Sequence, residues 1–110
     1  MDILAECDST NSRLLSLAET GAAAGSVLAT ERQTGGRGRR GRSWLSASGD
    51  SLTFSLLWRF QPNRSLSGLS LAVGVAVARA LEALGVRGIT LKWPNDVLLN
   101  GRKLAGVLIE

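Results

Sequence analysis

The amino-acid sequence predicts an α+β fold built on a mixed, mainly antiparallel sheet. Three observations support this prediction. Strand-like segments outnumber helical ones, two stretches show helical spacing, and an Asn-Gly pair separates two apolar stretches. A chain of 110 residues is long enough for one domain with a core, so we expect a single domain over 1–110.

The first half contains three strand candidates and one helix. Residues 2–6 form the first strand candidate, and a helix is expected to begin at Ser9 or Thr10 and to end before Gly21. The segment SVLATERQ is the second strand. The segment SLTFSLLWRF alternates, which predicts a half-buried third strand with Thr53 and Ser55 opposite an apolar face formed by Leu52, Phe54, Leu56 and Trp58.

The second half begins with a helical pattern over 69–84 that is apolar around most of its circumference, so we expect it to be buried against a sheet. The strand ITLKW follows and ends at Pro94. Asn100-Gly101 predicts a two-residue hairpin turn. The closing AGVLIE is expected to be a strand that continues to the last residue, as in a fragment of a longer domain with an open sheet edge.

Composition excludes several classes of function. The chain has no histidine, so a Ser-His-Asp triad and histidine metal ligands are absent. Cys7 is the single cysteine, so no internal disulfide forms. The most apolar run contains Arg79 and Glu82 and is too short to span a membrane. With no basic signal-peptide start, we expect a cytoplasmic protein without membrane contact.

Positive charge is concentrated in one segment. The net charge is +4, and residues 32–42 hold five of the thirteen basic residues. The remainder, with eight basic and nine acidic residues, is slightly acidic. A local basic patch indicates a site rather than a general affinity for polyanions.

Residues 34–44, TGGRGRRGRSW, are called here the arginine loop. Glycines allow the backbone to turn its N–H groups toward an anion, and arginines supply planar charged groups suited to phosphate and carboxylate. A solvent-exposed charged loop is the ordinary alternative. The core RGRRGR also resembles the arginine hooks that enter a DNA minor groove, so a nucleic-acid-binding module is a second functional interpretation.

Three further motifs accompany this loop. DSTN at 8–11 places small polar groups at a helix start, where a plain helix cap is the alternative. KWPND at 92–96 surrounds a strand end with polar groups and an aromatic ring. GRKLAG at 101–106 places Lys103 just past the tight turn, where an isolated lysine is usually a solvated edge residue.

Taken together and in this order, the four motifs resemble the biotin protein ligases. The resemblance covers residues 8 to 110. It implies a fold like that of class II aminoacyl-tRNA synthetases and biotin ligases, with this chain as the N-terminal part of the catalytic domain. The residues that carry it are Ser9-Thr10-Asn11, Gln33, Gly35 to Arg42, Trp44, Lys92 to Asp96, and Arg102 to Gly106.

The resemblance implies an ATP-dependent ligase. Biotin is activated with ATP and Mg²⁺ to biotinyl-5′-AMP and passed to a lysine of a biotin carboxyl carrier protein. It implies Lys103 and Arg39 as catalytic residues, and assigns no metal ligand with certainty. The implied biotin-binding residues are Ser9, Thr10, Asn11, Gln33, Arg37, Gly38, Arg39 and Lys103. The implied nucleotide and phosphate residues are Gly36, Arg37, Arg40, Arg42, Trp44, Asn95 and Asp96.

The chain also departs from the family pattern. Many members carry a DNA-binding winged helix before the ligase domain, and with Met1 seven residues ahead of Asp8 we expect none in this chain. The family's ligase domain also extends further, so we expect part of the nucleotide site to be missing. A lipoate-ligase-like acyl ligase is a related alternative, although lipoate ligases lack the arginine loop. A homodimer is among the expected assemblies.

Overall fold

The computed structural model describes residues 1–110 and shows an α+β chain that divides into two compact units, Met1–Pro62 and Asn63–Glu110. Each unit contains one helix and a three-stranded sheet. Three of the four strand pairings are antiparallel and one is parallel, so the predicted mixed, mainly antiparallel character is confirmed, although it is divided between two sheets.

The first unit begins as a strand–helix–strand crossover. Strand β1 (Asp2–Cys7) and strand β2 (Val27–Gln33) are parallel neighbours, helix α1 (Thr10–Glu19) connects them, and β3 (Thr53–Leu56) pairs antiparallel with β2. The Ser9 hydroxyl caps α1 by accepting a hydrogen bond from the backbone N–H of Ser12. The predicted helix start is therefore confirmed.

The core of the first unit lies between α1 and the sheet. Leu14 of the helix packs with Leu28 and Leu57, all three at most 9% exposed. The Arg59 guanidinium donates hydrogen bonds to the carbonyls of Ala18 and Ala22, which satisfies backbone acceptors near the end of the helix.

The third strand differs from its prediction in length and in orientation. It covers four residues, and the residues that face the core are Ser55 and Leu57. The alternating apolar set faces outward, with 83%, 53%, 56% and 58% exposure for Leu52, Phe54, Leu56 and Trp58. Side chains alternate strictly between the two faces of a strand. Because α1 packs on the face of β3 that carries Ser55, the larger apolar side chains lie on the opposite face.

The second unit contains helix α2 (Leu69–Ala83) and a sheet of β4 (Ile89–Lys92), β5 (Asp96–Leu99) and β6 (Arg102–Gly106). The helix packs against the sheet as predicted, through contacts with β4 and β5, but it buries only one side of its circumference. Its buried residues are the small ones, Gly74 and Ala78, and a Cβ at Gly74 would lie 3.7 Å from Leu91 Cδ2. Close approach to β4 therefore buries a narrow stripe and leaves the larger side chains partly exposed.

The β5–β6 hairpin confirms the predicted turn. Asn100 and Gly101 have φ values of 49° and 78°, the left-handed pair that a two-residue type I′ turn requires. The closing strand ends earlier than predicted, at Gly106. The backbone N–H of Val107 still donates to the Asn95 carbonyl, and residues 107–110 lie outside the strand. No helix in either unit is both long enough and apolar enough to cross a membrane.

Candidate functional site

Two of the four motifs lie at the same edge of the first sheet. Because β1 and β2 are parallel, the residues that follow them leave the sheet at the same end. DSTN follows β1 and the arginine loop follows β2. Backbone hydrogen bonds join the two segments, with Gly35 donating to the Asp8 carbonyl at 2.8 Å and Thr34 donating to the Cys7 carbonyl at 2.9 Å.

Four polar side chains form what we call the hydroxyl cluster: Thr10, Asn11, Gln33 and Ser55. Thr10 donates to Gln33 Oε1 twice, from its backbone N–H at 2.8 Å and from its hydroxyl at 3.1 Å. The Thr10 and Ser55 hydroxyl oxygens lie 2.7 Å apart, and the Ser55 hydroxyl also contacts Asn11 Oδ1. Thr10 is 2% exposed and Ser55 is 9% exposed. Buried polar groups are thereby matched with partners before any ligand is present.

The arginine loop has a defined backbone. Arg37 and Ser43 form an antiparallel bridge, and the N–H of Gly38 donates to the Arg42 carbonyl at 2.6 Å. Arg40 and Gly41 have φ values of 58° and 71°, so the chain reverses through two left-handed residues. No residue of the loop is buried: Gly36, Gly38 and Trp44 are half-buried, and all four arginines are exposed.

Gly36 connects the loop to the cluster. A Cβ at this position would lie 2.5 Å from the Trp44 carbonyl oxygen and 2.7 Å from Gln33 Nε2. The Trp44 N–H donates to the Gly36 carbonyl at 2.9 Å, which closes the base of the loop. Glycine is therefore required by close packing against Gln33 and Trp44.

Charge near this edge is partly neutralised. Arg32 pairs with Glu6 at 2.8 Å across β1 and β2, so its charge is matched within the sheet. Arg13 pairs with Asp8 at 3.0 Å. The backbone N–H of Ser9, together with the Arg13 guanidinium, holds the pKa of Asp8 below its ordinary value. The excess positive charge of the segment therefore lies in the arginine loop itself.

The remaining predicted residues lie in the second unit. A register irregularity between Val97 and Leu98 leaves Leu104 without a cross-strand partner. On the same strand as Leu104, Lys103 forms an ion pair, and its Nζ lies 3.0 Å from Asp96 Oδ1. This oxygen is enclosed, and the Lys103 ammonium is the charged group that lies beside it. The Asn95 side-chain amide donates to the Val107 carbonyl at 3.1 Å, so it also holds the segment after β6.

Sequence reasoning missed Ser55 as a candidate. The signal was a serine between Phe54 and Leu56 in an alternating strand, but it was placed on the face opposite the expected core. Ser9, by contrast, was found, and its hydroxyl serves as the helix cap. The ligand roles expected for the individual residues stay predictions.

Comparison with protein families identifies one match. The model of the biotin/lipoate A/B protein ligase family matches residues 4–110. Two curated relatives are each 43% identical to the chain: the bifunctional ligase/repressor BirA of Escherichia coli, over 98% of the chain, and the biotin–[acetyl-CoA-carboxylase] ligase of Mycobacterium tuberculosis, over 100% of it. The chain spans 34% and 44% of the lengths of these two relatives.

Solved structures give the same result. The biotin protein ligase of Aquifex aeolicus, in complex with biotin and ATP, is 44% identical, with a TM-score of 0.85 over 98% of this chain and 45% of its own. The biotin protein ligase of Leishmania major, in complex with biotinyl-5-AMP, is 28% identical, with a TM-score of 0.86 over 99% of this chain and 51% of its own.

Proposed function

Because the chain belongs to the biotin/lipoate A/B protein ligase family, we propose that it binds biotin and activates it with ATP for transfer to a carrier protein. The observation that carries this proposal is the connection, through Gly36, between the neutral hydroxyl cluster, in which Thr10 and Ser55 are buried, and the exposed arginine loop. Biotin has a neutral fused ring at one end and a negatively charged carboxylate at the other. The neutral hydroxyl cluster matches the ring, and the positively charged arginine loop matches the carboxylate.

The hydroxyl cluster supplies the neutral end of the site. A ureido ring carries one carbonyl acceptor and two N–H donors, and it is recognised by amides and hydroxyls whose positions are fixed. Thr10, Asn11 and Gln33 provide such groups at the edge of the sheet, with Ser9 buried beside them at the helix cap. The cluster contains no charged side chain, which favours a neutral ligand group.

The arginine loop supplies the charged end. In the proposed reaction a biotin carboxylate oxygen attacks the α-phosphorus of ATP, the bond to the β-phosphate oxygen breaks, and pyrophosphate leaves. Arg37 and Arg39 are proposed to hold the carboxylate and acyl phosphate together with the Gly38 backbone, while Arg40, Arg42 and Trp44 face the nucleotide. Phosphoryl transfer depends on positioned positive charge rather than on a protein nucleophile, which suits a chain without histidine.

Lys103 is proposed to meet the charge that develops at the acyl phosphate. Its ion pair with Asp96 fixes the ammonium on a strand before substrate arrives. ATP is expected as its magnesium complex, since Mg²⁺ commonly binds to substrate phosphates with one or two carboxylates. Asn95 and Asp96 stay candidates for the nucleotide side. In the second step the carrier lysine amine attacks the acyl carbon, AMP leaves and the amine loses a proton.

Titration calorimetry tests the binding proposal. We expect the chain to bind biotin and to prefer it over lipoate. Binding of duplex DNA with a steep salt dependence and no response to biotin would establish the arginine-hook interpretation instead. Preference for lipoate would favour the related acyl ligases.

Substitution of Lys103 tests the catalytic proposal. In a full-length ligase that contains this segment, we expect Lys103→Ala to slow biotin-dependent pyrophosphate release by about a hundredfold, the typical effect of removing a preorganised charge. Arg102→Ala, which removes the neighbouring exposed charge, is the matched control and should have little effect. Because Lys103→Ala also leaves Asp96 without its ion pair, unfolding is measured in parallel, and Asp96→Asn/Lys103→Ala removes both charges. Near-normal pyrophosphate release would leave Lys103 as an edge residue.

A further inference from the structure

Ser55 has no role in the proposed reaction, yet it lies at the centre of the hydroxyl cluster. It is in the middle of β3, opposite Leu28 in the sheet, and is 9% exposed. Its hydroxyl contacts two consecutive residues at the start of α1, lying 2.7 Å from Thr10 Oγ1 and in contact with Asn11 Oδ1. A single side chain of the sheet therefore holds both helix residues.

Ser55 is important because the hydroxyl cluster has fewer hydroxyl protons than contacts that need one. The Thr10 backbone N–H can only donate, so the Gln33 atom that it reaches at 2.8 Å is the amide oxygen, and the amide nitrogen is turned away. Three contacts then join Gln33 Oε1, Thr10 Oγ1, Ser55 Oγ and the Asn11 amide, but only two hydroxyl protons are available to them.

The Ser55 proton determines which of these contacts is a hydrogen bond. When Ser55 donates to Thr10, the Thr10 proton is directed to Gln33 Oε1. When Ser55 donates to Asn11 Oδ1, the Thr10 proton can turn back to Ser55. Thr10 and Asn11 therefore compete for one donor, and Ser55 couples the side-chain positions of the two helix residues to each other.

We propose that Ser55 is a positioning residue for recognition of the ligand ring, acting through Thr10 and Asn11. The proposal rests on the proposed biotin-binding function and deepens it. Ser55 sets where the polar atoms of the two helix residues lie, and thereby which ring substituents the site accepts. Loss of its hydroxyl leaves Thr10 and Asn11 in place on the helix but without their common anchor.

Calorimetry with three ligands tests this role. Biotin carries a ureido carbonyl, and biotin methyl ester alters only the carboxylate. In 2-iminobiotin the carbonyl is replaced by an imino group that is protonated at neutral pH, so a hydrogen-bond acceptor becomes a charged donor. We expect Ser55→Ala to weaken biotin binding by about tenfold, the effect of one well-placed hydrogen bond. We expect a smaller loss for 2-iminobiotin, so that the preference for biotin over 2-iminobiotin falls by about fivefold. The preference for biotin over its methyl ester should not change.

Two variants separate positioning from structure. Ser55→Thr keeps the hydroxyl on a strand and should restore the preference for biotin over 2-iminobiotin. Thr30→Ala removes another buried hydroxyl of the same sheet, one that donates to the Arg32 carbonyl, and should lower stability without changing that preference. An equal loss of affinity for biotin and 2-iminobiotin in Ser55→Ala, or the same change in Thr30→Ala, would overturn the positioning role.

Calorimetry also distinguishes a failure of the biotin-binding proposal from a failure of the role proposed for Ser55. If the unsubstituted chain does not respond to biotin, the biotin-binding proposal is wrong and this inference falls with it. If the unsubstituted chain binds biotin and Ser55→Ala retains its preference for biotin over 2-iminobiotin, only the role of Ser55 is wrong.

Discussion

The hydroxyl cluster and the arginine loop meet at Gln33 and Gly36, but different parts of the polypeptide hold them in place. In the cluster, side chains bond to one another, and Thr10 and Ser55 are buried. In the loop, backbone groups form the hydrogen bonds between Gly36, Gly38, Arg42 and Trp44, while the arginine side chains extend into solvent.

In the site proposed above, this difference separates two tasks. Side chains that are locked before binding provide shape and hydrogen-bond selectivity at little entropic cost. Exposed arginines lose side-chain freedom when they bind, but they supply charge that does not depend on the ligand's exact shape. Substitutions in the cluster should therefore alter stability and selectivity, whereas substitutions of loop arginines should alter affinity for anionic groups alone.

The largest expected effect comes from the residue that joins the two regions. Gly36→Ala would place a Cβ 2.5 Å from the Trp44 carbonyl oxygen and 2.7 Å from Gln33 Nε2, so backbone as well as side chain must shift. We expect a loss of about 1–3 kcal/mol in the free energy of unfolding, typical of overpacking, together with weakened biotin binding. Urea unfolding and calorimetry measure the two effects.

Gly38→Ala is the matched control within the loop. A Cβ there would lie 3.7 Å from the Arg42 carbonyl oxygen, an ordinary contact, and the φ of −105° suits any residue. Its unfolding should be close to that of the unsubstituted chain. Equal destabilisation by both substitutions would mean that the loop as a whole tolerates no side chain, and that Gly36 is not a special junction.

Much of this organisation could be predicted from the sequence. Strong local signals located the Asn100-Gly101 turn, the helix start at Ser9 and the concentration of arginines, because each depends on neighbouring residues alone. The inward face of β3 could not be predicted in the same way. Its alternating pattern gives two possible faces, and the choice is made by α1, which packs on Ser55 and Leu57 through long-range contacts.

The same distinction applies to the site. Motif order singled out Thr10, Gln33 and the arginines as candidates, whereas the role proposed for Ser55 follows from its contact with Thr10, a residue 45 positions away. The pairing of Lys103 with Asp96 likewise follows from the β5–β6 hairpin, in which Lys103 lies opposite Leu98, two residues from Asp96.

An effect confined to binding, without loss of stability, is expected at Arg39. The side chain is exposed and its backbone carbonyl accepts the Arg42 N–H, so Arg39→Ala keeps that backbone contact and should leave urea unfolding unchanged. We expect biotinyl-AMP to be held more weakly by about 1–3 kcal/mol, the scale of a charge-assisted hydrogen bond. The dissociation rate of biotinyl-AMP measures this loss.

Salt dependence sharpens the contrast with the cluster. The effect of Arg39→Ala on biotinyl-AMP should shrink as salt is added, because exposed charges are screened. The effect of Ser55→Ala on biotin should be nearly independent of salt, since the cluster is neutral. An unchanged dissociation rate in Arg39→Ala at low salt would remove Arg39 from the proposed phosphate-binding set.

The smallest expected effect concerns Asp8, the charged residue that adjoins both regions. Its backbone carbonyl accepts the Gly35 N–H at the base of the loop, and its carboxylate lies at the start of the helix that carries Thr10. The Ser9 N–H and Arg13 lower its pKa below 3.8 in the folded chain. The charged carboxylate therefore stabilises the fold above its ordinary pKa, and this stabilisation is lost as the pH falls through the lowered value.

Asp8→Asn keeps the backbone contact, so it should reduce the free energy of unfolding slightly at neutral pH and progressively less in acid. Urea unfolding of both proteins over this pH range measures the difference, and a difference that stays constant or grows on acidification would show that the carboxylate charge is not its source.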